Sequence, residues 1–177
     1  LAANLFEENG DYPDWVKPYE IKNMGNVKVA FIGVTVFYQH FYALLGWEIE
    51  DPYIILEKYL PVLKEEADVI VVLSHLGISD DEEMARRFPA IVVILGGHTH
   101  HVLPEGRRIG NTLICGAGKY GQYIGQVDLV FNQEVKSITH STAKLHKLEL
   151  YKPDQQLTER IKDMEQVAEK HLNKKVG

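Results

Sequence analysis

Ile91-Val92-Val93-Ile94-Leu95-Gly96-Gly97-His98-Thr99-His100-His101 is an apolar run that passes through two glycines into a histidine-rich end. Five consecutive apolar residues, mostly β-branched, predict a strand buried on both faces of a parallel sheet. The glycines let the backbone turn sharply or approach another group closely. In extended backbone, residues two apart share a side, so His98 and His100 are expected to aim at one centre while Thr99 and His101 face away. Ligands gathered beyond the carboxyl end of a buried strand follow the general rule for open α/β sheets. The stretch therefore reads as half of a metal site.

Working outward, Asp68-Val69-Ile70-Val71-Val72-Leu73 predicts a second buried strand, which ends in Ser74-His75-Leu76-Gly77. Between the two strands, Ser79-Asp80-Asp81-Glu82 reads as a capping box for a helix that Pro89 halts. Asp80 and Asp81 are explained there as first-turn acids favoured by the helix dipole rather than as ligands. Upstream, Asp51 and Pro52 are a cap and first position for a helix, and Leu56, Tyr59, Leu60, Leu63 and Ala67 share its core face. Residues 27–34 predict a further strand, and residues 6–26 read as loop. This alternation predicts an α/β fold with right-handed crossovers. Residues 36–49 hold Phe37, Tyr38, Phe41, Tyr42 and Trp47, expected as a loop over the sheet edge or as a lid with stacking surface for a substrate. Past residue 101, strands are predicted at 112–115 and 124–131 and a pair of short ones over 135–148. A helix from Pro153 carries Leu157, Ile161, Met164, Ala168 and Leu172 on one face, suited to docking on its own domain or linking to a following one.

His75 repeats the grammar of His98: buried strand, short polar step, imidazole. Neighbouring parallel strands lie about 4.8 Å apart, so the two strand ends can bring both rings to one ion. His98, His100 and His75 are thus the candidate metal ligands. His101 is expected in solvent, behind the ligands, or against a substrate phosphate. His40, His140, His146 and His171 lack this context and read as surface or loop histidines. Gly116-Ala117-Gly118-Lys119-Tyr120-Gly121 matches the dinucleotide fingerprint, but that motif needs a helix opening at its third glycine. Here a strand-like stretch comes next, so the glycines are expected instead to allow a close turn beside the metal-bearing loop.

The 177 residues suit one domain with its own core. With 25 acidic against 19 basic side chains, the formal charge of -6 argues against binding a nucleic-acid polymer. Cys115 is the one cysteine, which excludes an internal disulfide. No apolar run approaches the roughly 18–20 residues of a membrane span. Residue 1 is Leu, and no charged-then-apolar leader precedes it. The chain is read as an excerpt of a longer protein, with localisation undecided between cytoplasmic and secreted or cell-wall.

Taken together, Ser74-His75-Leu76-Gly77, Gly96-Gly97-His98-Thr99-His100 and Ala117-Gly118-Lys119-Tyr120-Gly121-Gln122-Tyr123-Ile124-Gly125 resemble the calcineurin-like metallophosphoesterases. More narrowly they are similar to the 5'-nucleotidase and 2',3'-cyclic-nucleotide phosphodiesterase group. The resemblance implies an αββα sandwich, here partial. Residues 1–150 would form the C-terminal half of the metallophosphoesterase domain, and residues 151–177 a docking or linking helix. It implies two divalent ions (Mn, Zn, Co or Fe), with His75 and His98 on one and His100 on the other. The family's Asp-x-His and Gly-Asn-His-Asp/Glu motifs, which carry the remaining ligands and the catalytic histidine, do not occur in the chain. The resemblance places them upstream, and the nucleoside-binding domain downstream, as parts of the same protein. The implied reaction is in-line hydrolysis of nucleotides or other phosphoesters by metal-activated water, with this portion alone inactive. The alternatives are a non-catalytic metal- or nucleotide-binding module acting through partners, and a mononuclear zinc hydrolase built on His75, His98 and His100.

Overall fold

The structure is a computed structural model and describes residues 1–172. Its elements run β1 (Leu5–Glu7), β2 (Tyr19–Met24), β3 (Val27–Thr35), α1 (Gln39–Leu44), β4 (Trp47–Ile49), α2 (Pro52–Glu66), β5 (Val69–His75), α3 (Ile78–Arg87), β6 (Val93–Gly96), β7 (Arg107–Ile109), β8 (Thr112–Cys115), β9 (Tyr123–Asn132), β10 (Ser137–Lys147) and α4 (Gln155–Leu172). The chain divides into two compact units, Leu1–His146 and the residues from Lys147 onward.

In the first unit a six-stranded sheet has the order β2-β3-β5-β6-β8-β7. The four central strands are parallel, and the edge strands β2 and β7 are antiparallel to their neighbours. Two core clusters mark its faces. Ile70 and Val72 of β5 join Leu56, Leu60, Leu63 and Met84 of α2 and α3. Val69 and Val71 fall in the other cluster, against which Val127, Leu129, Phe131 and Ile138 of β9 and β10 pack. Period-two alternation thus sends successive β5 residues to opposite layers. Helices on one face and a two-stranded sheet on the other form the α–β–β part of an αββα sandwich.

The start of α2 is set locally: the Asp51 carboxylate accepts the Tyr53 N–H at 2.7 Å, and Pro52 takes the first helical position. Elsewhere the structure differs from the expectation. Residues 19–24 form a strand rather than loop, because Tyr19 and Ile21 alternate inward onto the core against β3. The strand expected over 91–95 spans Val93–Gly96, with Leu95 exposed. A single eleven-residue strand, β10, replaces the pair of short ones over 135–148, since its partner β9 runs for ten residues beside it. Residues 36–49 form α1 and β4, and Phe37, Tyr38 and Phe41 stay exposed rather than packed over the sheet.

In the second unit α4 starts after Asp154, whose carboxylate accepts the Leu157 N–H at 2.9 Å. Leu157, Ile161, Met164 and Leu172 are exposed. Residues 173–177 of the expected terminal helix lie outside the described residues. No helix among the described residues is long and apolar enough to cross a membrane.

Candidate metal centre

All four parallel strands point their carboxyl ends to one edge. β5 ends on His75, opposite Thr35 of β3. β6 ends on Gly96, opposite Ser74 of β5. The His75 and His98 rings meet there, with centroids 5.2 Å apart and planes at 70°. Two imidazoles sharing one tetrahedral ion, with metal–nitrogen bonds of ~2.0–2.1 Å, hold their ring centres on the order of 5 Å apart. The separation of the two ring centres is thus the one that a shared divalent cation would need. His75 is exposed as a residue, but partial desolvation of its ring, and then the neighbouring imidazoles of His98 and His100, hold it below the usual imidazole range. It stays neutral, with a lone pair to offer, at neutral pH.

The backbone that delivers His98 is not extended. His98 and His100 have φ of 62° and 54°, in the left-handed region, and the Thr99 N–H folds back onto the Gly97 carbonyl at 2.8 Å. The alternation expected for His98 and His100 therefore does not apply, because the strand has ended at Gly96. Left-handed non-glycine residues cost on the order of 1–3 kcal/mol each and persist only where surroundings impose them. Here a Cβ at Gly97 would lie 3.0 Å from the His75 Nδ1, so the turn is packed directly against that ring. Among the described residues, no group of three or more His, Cys, Asp or Glu is disposed to hold a metal ion. The structure brings His75 and His98 together. His100 lies two residues on in the same loop, exposed, without completing a three-ligand set.

Thr99 and His101 are both exposed, as expected for side chains facing away from the ligands, and they hydrogen-bond to each other: His101 Nδ1 and Thr99 Oγ1 are 2.9 Å apart. The same oxygen accepts the Ile78 N–H, the first of α3, at 3.1 Å. The expected capping box is thereby corrected. Helix α3 begins at Ile78 with Gly77 as its cap and no capping side chain of its own. Thr99, 21 residues later, supplies the acceptor. Gly77 has φ 104°, and a Cβ there would lie 2.8 Å from Thr99 Cγ2, so glycine is needed for both conformation and space.

Asp81 also differs from expectation. It is 1% exposed, not a surface acid. Its Oδ1 accepts the Ser74 hydroxyl at 2.5 Å, and Ser74 Oγ accepts the Leu76 N–H at 3.2 Å. Its Oδ2 lies where a Cβ on Gly96 would come within 2.4 Å. Burial pushes the Asp81 carboxyl up to about 6, against the partial lowering by the Ser74 bond.

Two further strand ends join the edge. Beyond β3, the Tyr38 hydroxyl is 3.4 Å from His98 Nε2. Beyond β8, the Gly118 N–H donates to the His101 carbonyl at 3.0 Å, and a Cβ on Gly116 would lie 2.7 Å from that oxygen. The glycines here do permit a close turn beside the histidine loop, and the next element is the strand β9, not a helix. Burial pushes the Cys115 thiol up to about 11, which leaves it unreactive as a nucleophile. His40, His140 and His171 are exposed, and His146 is half-buried with its Nε2 2.9 Å from Gln126 Oε1.

Sequence reading missed Thr99 and Asp81 as parts of this edge, and named Tyr38 only within the aromatic stretch expected over the sheet edge or as a lid. Of the three, Tyr38 carried the signal, standing three residues past a strand end within an aromatic cluster, whereas Thr99 and Asp81 carried none.

No family model matches the chain. It is 41% identical over 149 residues to the metallophosphoesterase YunD of Bacillus subtilis (strain 168), covering 84% of this chain and 32% of the relative. It is 24% identical over 170 residues to the snake venom 5'-nucleotidase of Crotalus adamanteus, covering 80% and 28%. Among solved structures, the sulfate thiohydrolase SoxB of Thermus thermophilus superposes with a TM-score of 0.78 at 26% identity, covering 90% of this chain and 30% of that one. The chain thus spans about a third of the length of the proteins it matches. A histidine pair on adjacent parallel strand ends, within part of an αββα sandwich, accords with these likenesses: the chain belongs to the calcineurin-like metallophosphoesterases, in the group that takes in the 5'-nucleotidases.

Proposed function

We propose that these residues form one side of the metal centre of a phosphoesterase that hydrolyses 5'-nucleotides or 2',3'-cyclic nucleotides. The observation that carries this is the steeply inclined imidazole pair, His75 and His98, at a spacing that suits a shared cation. His75 and His98 would ligate one divalent ion and His100 a second. When bound, such ions supply Lewis acidity at the phosphoester and a water activated near neutral pH. Around them, His75 offers a neutral imidazole, the Tyr38 hydroxyl steadies His98, and Thr99 holds the loop to α3.

Tyr38, 53% exposed beside His98, would also present a ring face to the substrate's base. Imidazoles alone provide no carboxylate to bridge two ions or offset their charge, so residues 1–177 by themselves would be inactive. The likeness to a sulfate thiohydrolase makes the substrate a matter for assay, because one fold hosts several chemistries.

The test uses the intact enzyme with Mn²⁺ against 5'-nucleotides and 2',3'-cyclic nucleotides. Nucleotide hydrolysis that falls at least roughly a hundredfold in His75→Ala and His98→Ala, with bound metal reduced, supports the reading. Full metal occupancy and activity in both variants would overturn it.

A further inference from the structure

Helix α3 touches both histidine-bearing strand ends from beneath. β5 alternation turns Ser74 toward the helical layer and His75 to the opposite face. Ser74 and Gly96 form the last pair between β5 and β6. Asp81, one turn into α3, meets both: a hydrogen bond to Ser74 and a close approach to Gly96 that leaves no room for a side chain. The Leu76 N–H, just past His75, closes onto the same Ser74 oxygen. The backbone on each side of His75 is thus tied to one buried carboxylate, and the backbone two residues before His98 rests on it.

We propose that Asp81 is a positioning residue, which through Ser74 and Gly96 fixes the two strand ends so that His75 and His98 converge at the spacing a divalent cation requires. The cation itself rests on the phosphoesterase reading; the clamp does not. A carboxylate that burial disfavours, held where no capping role needs it, is otherwise a net cost to the fold. The chain of bonds is directional. Leu76 N–H donates to Ser74 Oγ, and the Ser74 O–H donates to Asp81 Oδ1. An asparagine at 81 keeps the acceptor, whereas alanine at 74 or 81 breaks the chain.

The experiment compares the full chain with Ser74→Ala, Asp81→Asn and Asp81→Ala. Cobalt(II) alone serves as the probe, with affinity read from its visible d–d absorption, and hydrogen exchange reads the Leu76 amide. Cobalt affinity is expected to fall about 10–100-fold in Ser74→Ala and Asp81→Ala, as when groups that orient metal ligands are lost. In Asp81→Asn it should stay within about threefold, with the Leu76 amide as protected as in the parent. Alanine variants that keep a native far-UV spectrum, cobalt affinity and Leu76 protection overturn the proposal. So does an Asp81→Asn variant as impaired as Asp81→Ala, since that places the effect in charge and not in position. If Asp81→Ala fails to fold, Ser74→Ala and Asp81→Asn decide. If the parent takes up no cobalt, the metal reading fails by itself, and Leu76 exchange across the three variants decides the clamp.

Discussion

Replacing Asp81 with Asn should make the protein more stable at neutral pH, although it removes a buried charge that accepts a short hydrogen bond. The carboxyl is 1% exposed, and its folded value is about 6 against 3.8 for the unperturbed group. At 1.36 kcal/mol per pKa unit, that difference is worth ~3 kcal/mol. The folded value lies above the unfolded one, so between them the folded protein holds a proton the unfolded chain has released. Stability from this group is therefore complete below 3.8 and lost as pH rises through about 6.

Asparagine cannot titrate and escapes that loss. Of the ~3 kcal/mol, about 2 should develop between roughly pH 4.5 and 7.5. The assay is urea unfolding across that range with a chelator present, so that no bound cation offsets the charge. The stability difference, variant minus parent, should grow by ~2 kcal/mol toward the alkaline end. A difference that is flat with pH, or that shrinks as pH rises, refutes the argument that Asp81 is held charged at a desolvation cost.

Three other perturbations probe the same architecture. Gly96→Ala sets a Cβ 2.4 Å from Asp81 Oδ2 and 3.3 Å from the Cys115 carbonyl; it should cost ~1–3 kcal/mol by overpacking. Most of that cost should be absent when measured in an Asp81→Ala background, as a double-mutant cycle. Thr99→Val removes the acceptor for the Ile78 N–H and should cost ~1 kcal/mol, with faster exchange of that amide. Asn4 is fully buried, donates to the Thr35 and Glu50 carbonyls and accepts the Thr35 N–H. Asn4→Ala strands those groups and should lower the urea midpoint by an amount equivalent to ~2–4 kcal/mol at unchanged slope.

Much of this architecture is local in origin and was legible in the chain itself. Runs such as Val69–Leu73 specify buried parallel strands because β-branched residues suit a pleat that is apolar on both faces. Asp51-Pro52 starts α2 wherever that helix lands, since cap and first residue act on adjacent backbone. The imidazoles of His75 and His98 could be paired because strand spacing in a parallel sheet is nearly constant.

Tertiary structure alone decided the rest. Asp81 has the sequence context of a solvated first-turn acid. Its burial comes from where α3 settles beneath Ser74 and Gly96, which no local pattern encodes. Thr99 caps a helix 21 residues upstream, and His98 and His100 take left-handed backbone in a loop that Thr99 ties to α3 and His101 ties to Gly118. Strand identity depends on short-range sterics and hydrophobic period, which residue order carries directly. Contacts among separate strand ends depend on the packing of whole elements, and that exists only once the chain has folded.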